Sequence, residues 1–128
     1  MRIEHIALNV PDPVGMARWY VKYCGFVVRK ALTEPPFTQF ISERDGEGMI
    51  ELYDRTDKRR WTASDFADPL FFHLALTSID LFGDSVRLCI AGASEIERTI
   101  DADGFGLVML RDPFGMALQL CRRREPLT

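Results

Sequence analysis

The sequence predicts an α+β fold in which two pseudo-symmetric βαβββ modules form a cup-shaped, curved mixed sheet with the helices on its outer face. Three observations carry this reading. The opening stretch Ile3 to Val10, IEHIALNV, is repeated by Phe71 to Ser78, FFHLALTS, so that His5 and His73 are counterparts 68 residues apart; an internal repeat decides architecture before any local assignment does. The same offset carries Glu51, in MIELYD, onto Gln119, in MALQLC, and Asp12 onto Asp80. Finally, strand residues alternate between faces. Ile6, Leu8 and Val10 lie opposite His5, Ala7 and Asn9, and Phe72, Leu74 and Leu76 lie opposite His73, Ala75 and Thr77. Ile50 and Leu52 flank Glu51, and Leu118 and Leu120 flank Gln119. Each strand thus offers an apolar face to a helix and one metal- or acid-base-competent group to the other side. Four such strands in one curved sheet would point the four groups into one concavity.

Taken in order, the first module covers about residues 1–54. Asp12 before Pro13 caps a helix that runs to about Tyr23. Val14, Ala17, Tyr20 or Val21, and Cys24 recur at helical spacing and supply its inward stripe, and Gly25 stops it. Phe26 to Leu32 and Phe37 to Ser42 are β-rich and separated by Pro35-Pro36. Asp45-Gly46, with Gly48, turns the chain into the Glu51 strand. Residues of about 55–69 form a linker, charged, ended by Pro69 and without strand period. Its Arg55, Lys58, Arg59 and Arg60 beside Trp61 read either as a solvated connection or as a basic flap attracting an anionic ligand. The second module covers about residues 70–124. Asp80 repeats the cap, Leu81 to Cys89 is helical with Gly83 a weak point, and Glu95 to Ile100 and Phe105 to Leu110 are strands. Arg111-Asp112-Pro113-Phe114-Gly115 is the turn that delivers the Gln119 strand.

With 128 residues, 47% of them hydrophobic, the chain suits a single domain spanning 1–128 and built of both modules. Sixteen Lys and Arg against 19 Asp and Glu leave a net charge of −3, so no global field draws nucleic acid or an anionic membrane. The expected partner is a small-molecule substrate. Cys24, Cys89 and Cys121 are odd in number and show no CxxC pairing, which argues against a disulfide framework and a zinc knuckle and for a reducing, cytoplasmic setting. No run is apolar enough for a signal peptide or a bilayer span.

His5, Glu51, His73 and Gln119 together offer imidazole nitrogen, carboxylate oxygen and amide oxygen. These donors suit a divalent Zn, Ni, Co, Mn or Fe ion, with the amide the weakest of them. Cys121, two residues on from Gln119, is the one thiol near that face.

The HIALNV opening, the helix end WYVKYCGF, the IEL strand, the second HLAL and the closing DPFGMALQL together resemble the vicinal oxygen chelate superfamily. That superfamily includes glyoxalase I, methylmalonyl-CoA epimerase, fosfomycin-resistance transferases, extradiol dioxygenases and bleomycin-resistance proteins. The resemblance covers essentially the whole chain. It implies paired modules forming a cup around a divalent metal, with ligands at His5, Glu51, His73 and Gln119, and a homodimeric assembly. In metal-dependent members the position of Gln119 is commonly a glutamate, so the set His, Glu, His, Gln is similar to the epimerase set with its halves exchanged. The implied activity is glyoxalase I-like or epimerase-like proton transfer on a small oxygenated substrate, with Glu51 as the base. A metal-independent binding protein of the bleomycin-resistance kind is the alternative. A dioxygenase or a fosfomycin-resistance transferase fits less well, because each needs a carboxylate where this chain has Gln119.

Overall fold

The repeat is written into the backbone element by element. A computed structural model, which describes residues 1–127, places β1 at His5–Asn9, α1 at Pro13–Cys24, β2 at Phe26–Ala31, β3 at Gln39–Glu43 and β4 at Met49–Tyr53. It continues with β5 at Leu74–Thr77, α2 at Leu81–Ile90, β6 at Ser94–Ile100, β7 at Gly106–Arg111 and β8 at Ala117–Arg122. The chain divides into two compact units, residues 1–62 and residues from 63 onward. Each holds one four-stranded mixed sheet, ordered β1-β4-β3-β2 in the first and β5-β8-β7-β6 in the second. In both, the first strand of the module runs parallel to its neighbour and the other pairs are antiparallel. A one-residue bulge recurs as well, between Val28 and Lys30 in β2 and between Glu95 and Glu97 in β6. The α+β fold of two βαβββ modules is therefore the observed one.

Both helices start from the same Asp-x-x-Gly device. The Gly15 amide donates to Asp12 Oδ1 at 2.8 Å and the Gly83 amide to Asp80 Oδ1 at 3.0 Å, each satisfying an orphan helix donor. A Cβ on Gly15 would stand 2.1 Å from Asp12 Oδ2, and one on Gly83 2.3 Å from Asp80 Oδ2. Gly83, which sequence propensity marks as a weak point of α2, is thus the residue that leaves the cap its room.

The inward stripe of α1 differs from the expected one. Pro13, Met16, Ala17, Trp19 and Tyr20 are buried, whereas Val14 is half-buried and Val21 exposed. The larger apolar groups at 13, 16 and 20 outweigh the valines at 14 and 21, so the helix rolls toward its bulkier edge. Against this stripe pack Phe26, Ile41 and Leu52, and in the second unit Leu81 and Leu88 lie with Val108, Leu110, Leu118 and Leu120, all buried. Ile6 is an exception to the expected alternation, remaining 53% exposed, because α1 packs mainly over β2, β3 and β4.

The connection between the modules belongs half to each unit. Asn9, buried on β1, receives the Arg55 amide at 2.7 Å and donates to the Arg55 and Arg59 carbonyls at 3.0 Å each, and the Trp61 amide donates to the Asn9 carbonyl. From residue 63 on, Arg111 takes over, donating to the carbonyls of Phe66 at 2.6 Å and Ala67 at 3.0 Å. The basic residues of the connection are paired locally. Arg55 bonds Asp57 at 2.7 Å and Arg60 bonds Asp54 at 3.0 Å, which removes much of the positive field a flap would need.

Candidate functional site

In the first unit the polar face of the sheet carries a histidine–carboxylate pair. The parallel β1/β4 ladder sets Ala7 opposite Glu51 and His5 opposite Met49, so His5 sits diagonally from Glu51 on the same face. His5 Nε2 comes to 3.3 Å from Glu51 Oε2. Its other nitrogen, Nδ1, is bonded to the Glu4 carboxylate. A carboxylate accepts, so Nδ1 carries the proton and Nε2 is the nitrogen presented to Glu51. One sequence-distant residue completes the surroundings. Phe40 lies opposite Glu51 in the β3/β4 ladder, and its ring meets the His5 ring edge-on at 5.9 Å.

The hydrogen bond to Glu4 raises the His5 pKa above its ordinary 6.5; partial desolvation opposes this, and the charges of Glu4 and Glu51 add to it. A raised folded-state pKa favours the folded protein while His5 is protonated. That contribution is complete below the unfolded value near 6.5 and fades as pH rises through the folded one. In the metal-free protein, a proton NMR titration of His5 is expected to give a midpoint above 6.5, and Glu4→Gln to lower it. A midpoint that ignores Glu4→Gln would show that the pair does not form in solution.

The second unit repeats the plan with different chemistry. The β5/β8 ladder sets Ala75 opposite Gln119, as Ala7 faces Glu51, and Gln119 is half-buried on β8. His73 lies one residue before β5 rather than inside a strand starting at Phe71. The physical cause is a turn at Asp68-Pro69. The Asp68 side chain accepts from the Leu70 amide at 2.9 Å, the Asp68 carbonyl accepts from the Phe71 amide, and His73 Nδ1 donates to the Pro69 carbonyl at 2.8 Å. His73 therefore also has its Nδ1 engaged by an oxygen and its Nε2 free to serve as a donor atom. Cys121 is turned away from such a role, buried with its thiol directed to the Leu76 carbonyl at 3.4 Å.

Both histidines thus show the outer-sphere pattern that orients a metal ligand, one through a carboxylate and one through a carbonyl. Two donors each about 2.0–2.2 Å from one ion stand about 3.0–3.5 Å apart at ordinary coordination angles, and the His5–Glu51 separation of 3.3 Å lies within that bite. The donor pair of the first unit therefore fits one edge of a divalent-metal site. Among the described residues no three His, Cys, Asp or Glu side chains are gathered for a metal. Glu4 and Phe40 are the residues that the strand pattern does not single out. Phe40 was nonetheless within reach of it, since counting outward from the Asp45-Gly46 turn sets residue 40 against 51. Glu4 leaves no such signal, because periodicity assigns it to the face opposite His5.

Comparison with known proteins agrees with this architecture. No curated protein matches the sequence. Solved structures do match by fold. One is TnmS3, an antibiotic binding protein from a Streptomyces species, with 16% identity, 94% of each chain covered and a TM-score of 0.69. Another is a member of the glyoxalase/bleomycin resistance protein/dioxygenase superfamily from Sphaerobacter thermophilus, with 14% identity, 96% of this chain and 98% of that one covered, and a TM-score of 0.72. A glutamate-to-glutamine mutant of glyoxalase I from Zea mays matches with 15% identity and a TM-score of 0.72, over 97% of this chain and 46% of that one. At such identities the likeness is one of fold. The family model itself matches residues 2–120, and with the repeated βαβββ unit it establishes that the chain belongs to the Glyoxalase/Bleomycin resistance protein/Dioxygenase superfamily.

Proposed function

We propose that this chain is a proton-transfer enzyme for a small oxygenated substrate, a glyoxalase I-like lyase/isomerase or an epimerase, with Glu51 as its base and a divalent Zn, Ni, Co, Mn or Fe ion as its cofactor. The observation that carries the reading is the carboxylate of Glu51 held on a strand 3.3 Å from His5 Nε2. His5 and Glu51 are the ligands offered by the first unit, and His73 and Gln119 those offered by the second. When bound, the ion would polarise a substrate carbonyl and acidify the adjacent C–H. Glu51 then accepts that proton and returns it to a neighbouring atom or to the opposite face. Gln119, at the matched position on β8, can orient a substrate oxygen but cannot take up a proton. Phe40 walls the site with an apolar edge that limits water around the exchanging proton.

A metal-independent small-molecule binding protein of the bleomycin-resistance type is the second reading. It is favoured by the amide at 119, a weaker ligand than a carboxylate and no proton acceptor. Elemental analysis of protein purified without a histidine tag separates the two. The enzyme reading expects a stoichiometric divalent ion, and comparable loss of metal affinity in His5→Ala and His73→Ala. Metal-free protein that binds ligand yet exchanges no proton would overturn it in favour of the second reading. A cytoplasmic homodimer is part of the same proposal. Ile79, Phe82, Val86 and Ile90 form an exposed apolar stripe on and before α2 that suits a two-fold contact, and no described helix is long and apolar enough to cross a membrane.

A further inference from the structure

The helix side of the first sheet carries a groove of about 630 Å³ between α1, β2 and the segment leading to β3. Its apolar wall is formed by Val14, Ala17, Val21, Val28, Leu32 and Phe37. Phe37 occupies this wall in a backbone conformation that bulky residues rarely adopt, with φ of 56°. It is held there from both sides, its amide donating to the Glu34 carbonyl at 2.8 Å and its carbonyl accepting from the buried Gln39 side chain at 3.0 Å. Such a conformation persists only where the surroundings over-determine it.

The repeat supplies an internal comparison, because the second unit builds the same junction and fills it. Phe82 stands where Val14 does and Ser85 where Ala17 does. Arg98 takes the ladder position of Ala31, pairing with Val108 as Ala31 pairs with Gln39. The Arg98 guanidinium lies 5.2 Å from the Phe82 ring centre, donates to Ser85 Oγ at 3.2 Å and pairs with Glu95 at 2.6 Å. Ala31 puts nothing in the corresponding space. The fold therefore does not require the opening; the side chains of the first unit create it.

Charge indicates what it accepts. Arg18 and Lys22, one turn apart on α1, line the groove, and among the described residues no Asp or Glu does. We propose that this groove binds a small amphiphile of the medium-chain carboxylate class, its chain lying against Val14, Val28, Leu32 and Phe37 and its carboxylate meeting Arg18 and Lys22. The site is separate from the His5–Glu51 face, since Glu51 and Phe40 share one side of the sheet while Gln39 and Ile41 alternate to the other.

Decanoate titrated into the full chain by calorimetry, with amide chemical shifts followed by NMR, tests the proposal. Saturable binding is expected, with shifts confined to α1, β2 and residues 32–39. The double variant Arg18→Gln/Lys22→Gln, altered only at exposed positions, should weaken it about three- to tenfold, with the difference shrinking at high salt. Val14→Phe/Ala31→Arg, which copies the filled junction of the second unit, should abolish it, and unchanged thermal unfolding of the charge variant guards against a folding artefact. Absence of saturable binding, shifts centred on β1 and β4, undiminished binding by the filled variant, or a dimer that decanoate dissociates would each overturn it, the last by assigning the groove to a second copy of the chain. Neither variant alters Glu51, so proton exchange at that residue is scored independently.

Discussion

Glu51→Gln is expected to slow solvent-deuterium exchange into a hemithioacetal substrate by about 10²–10⁴-fold, the usual contribution of a positioned general base. The substitution preserves shape and one coordinating oxygen and removes only the capacity to hold a proton. It also leaves the His5 and Phe40 contacts room to persist, so metal content should survive while turnover does not. The reverse experiment sharpens the point. Gln119→Glu installs a carboxylate at the matched β8 position and is expected to raise exchange, giving two histidines and two carboxylates. Equal exchange by wild type and Glu51→Gln would show that Glu51 is not the base.

The second large effect concerns the faces behind the site. Leu52→Ala and Leu118→Ala are each expected to cost about 2–5 kcal/mol, because both side chains are wholly buried, at 0% exposure, and truncation adds a cavity to the lost transfer energy. Each is adjacent in sequence to a proposed ligand, Glu51 or Gln119, yet points to the opposite side. His5→Ala, on the polar face and exposed, should change stability far less than either leucine truncation. Since Leu52 lies in the first unit and Leu118 in the second, denaturant unfolding followed by a probe in each unit should register each loss mainly in its own half. If His5→Ala proved as damaging as Leu52→Ala, the polar face would be part of the core and the division of labour between faces would be wrong.

Much of this was legible because it depends on local periodicity. The 68-residue repeat, the alternation around Glu51 and Gln119 and the Asp caps at 12 and 80 are short-range patterns, and short-range sterics and hydrogen bonding enforce them wherever the segment sits. Three features required the folded chain. The α1 stripe keeps Ala17 and Tyr20 but rolls onto Pro13, Met16 and Trp19, because burial is settled by the total volume a sheet face can accept, which periodicity alone does not weigh. His73 dropped out of β5 because the Asp68-Pro69 turn offered its ring and neighbouring amides better partners than a strand ladder. Asn9, expected beside His5 on the functional face, instead spends its side chain on the Arg55 and Arg59 backbone. The sequence by itself determined which residue types recur at matched positions, whereas tertiary structure decided which nitrogen of each histidine is tied up and which face of α1 is left open. Those outcomes turn on long-range hydrogen-bond competition and packing, for which adjacent residues carry no signal.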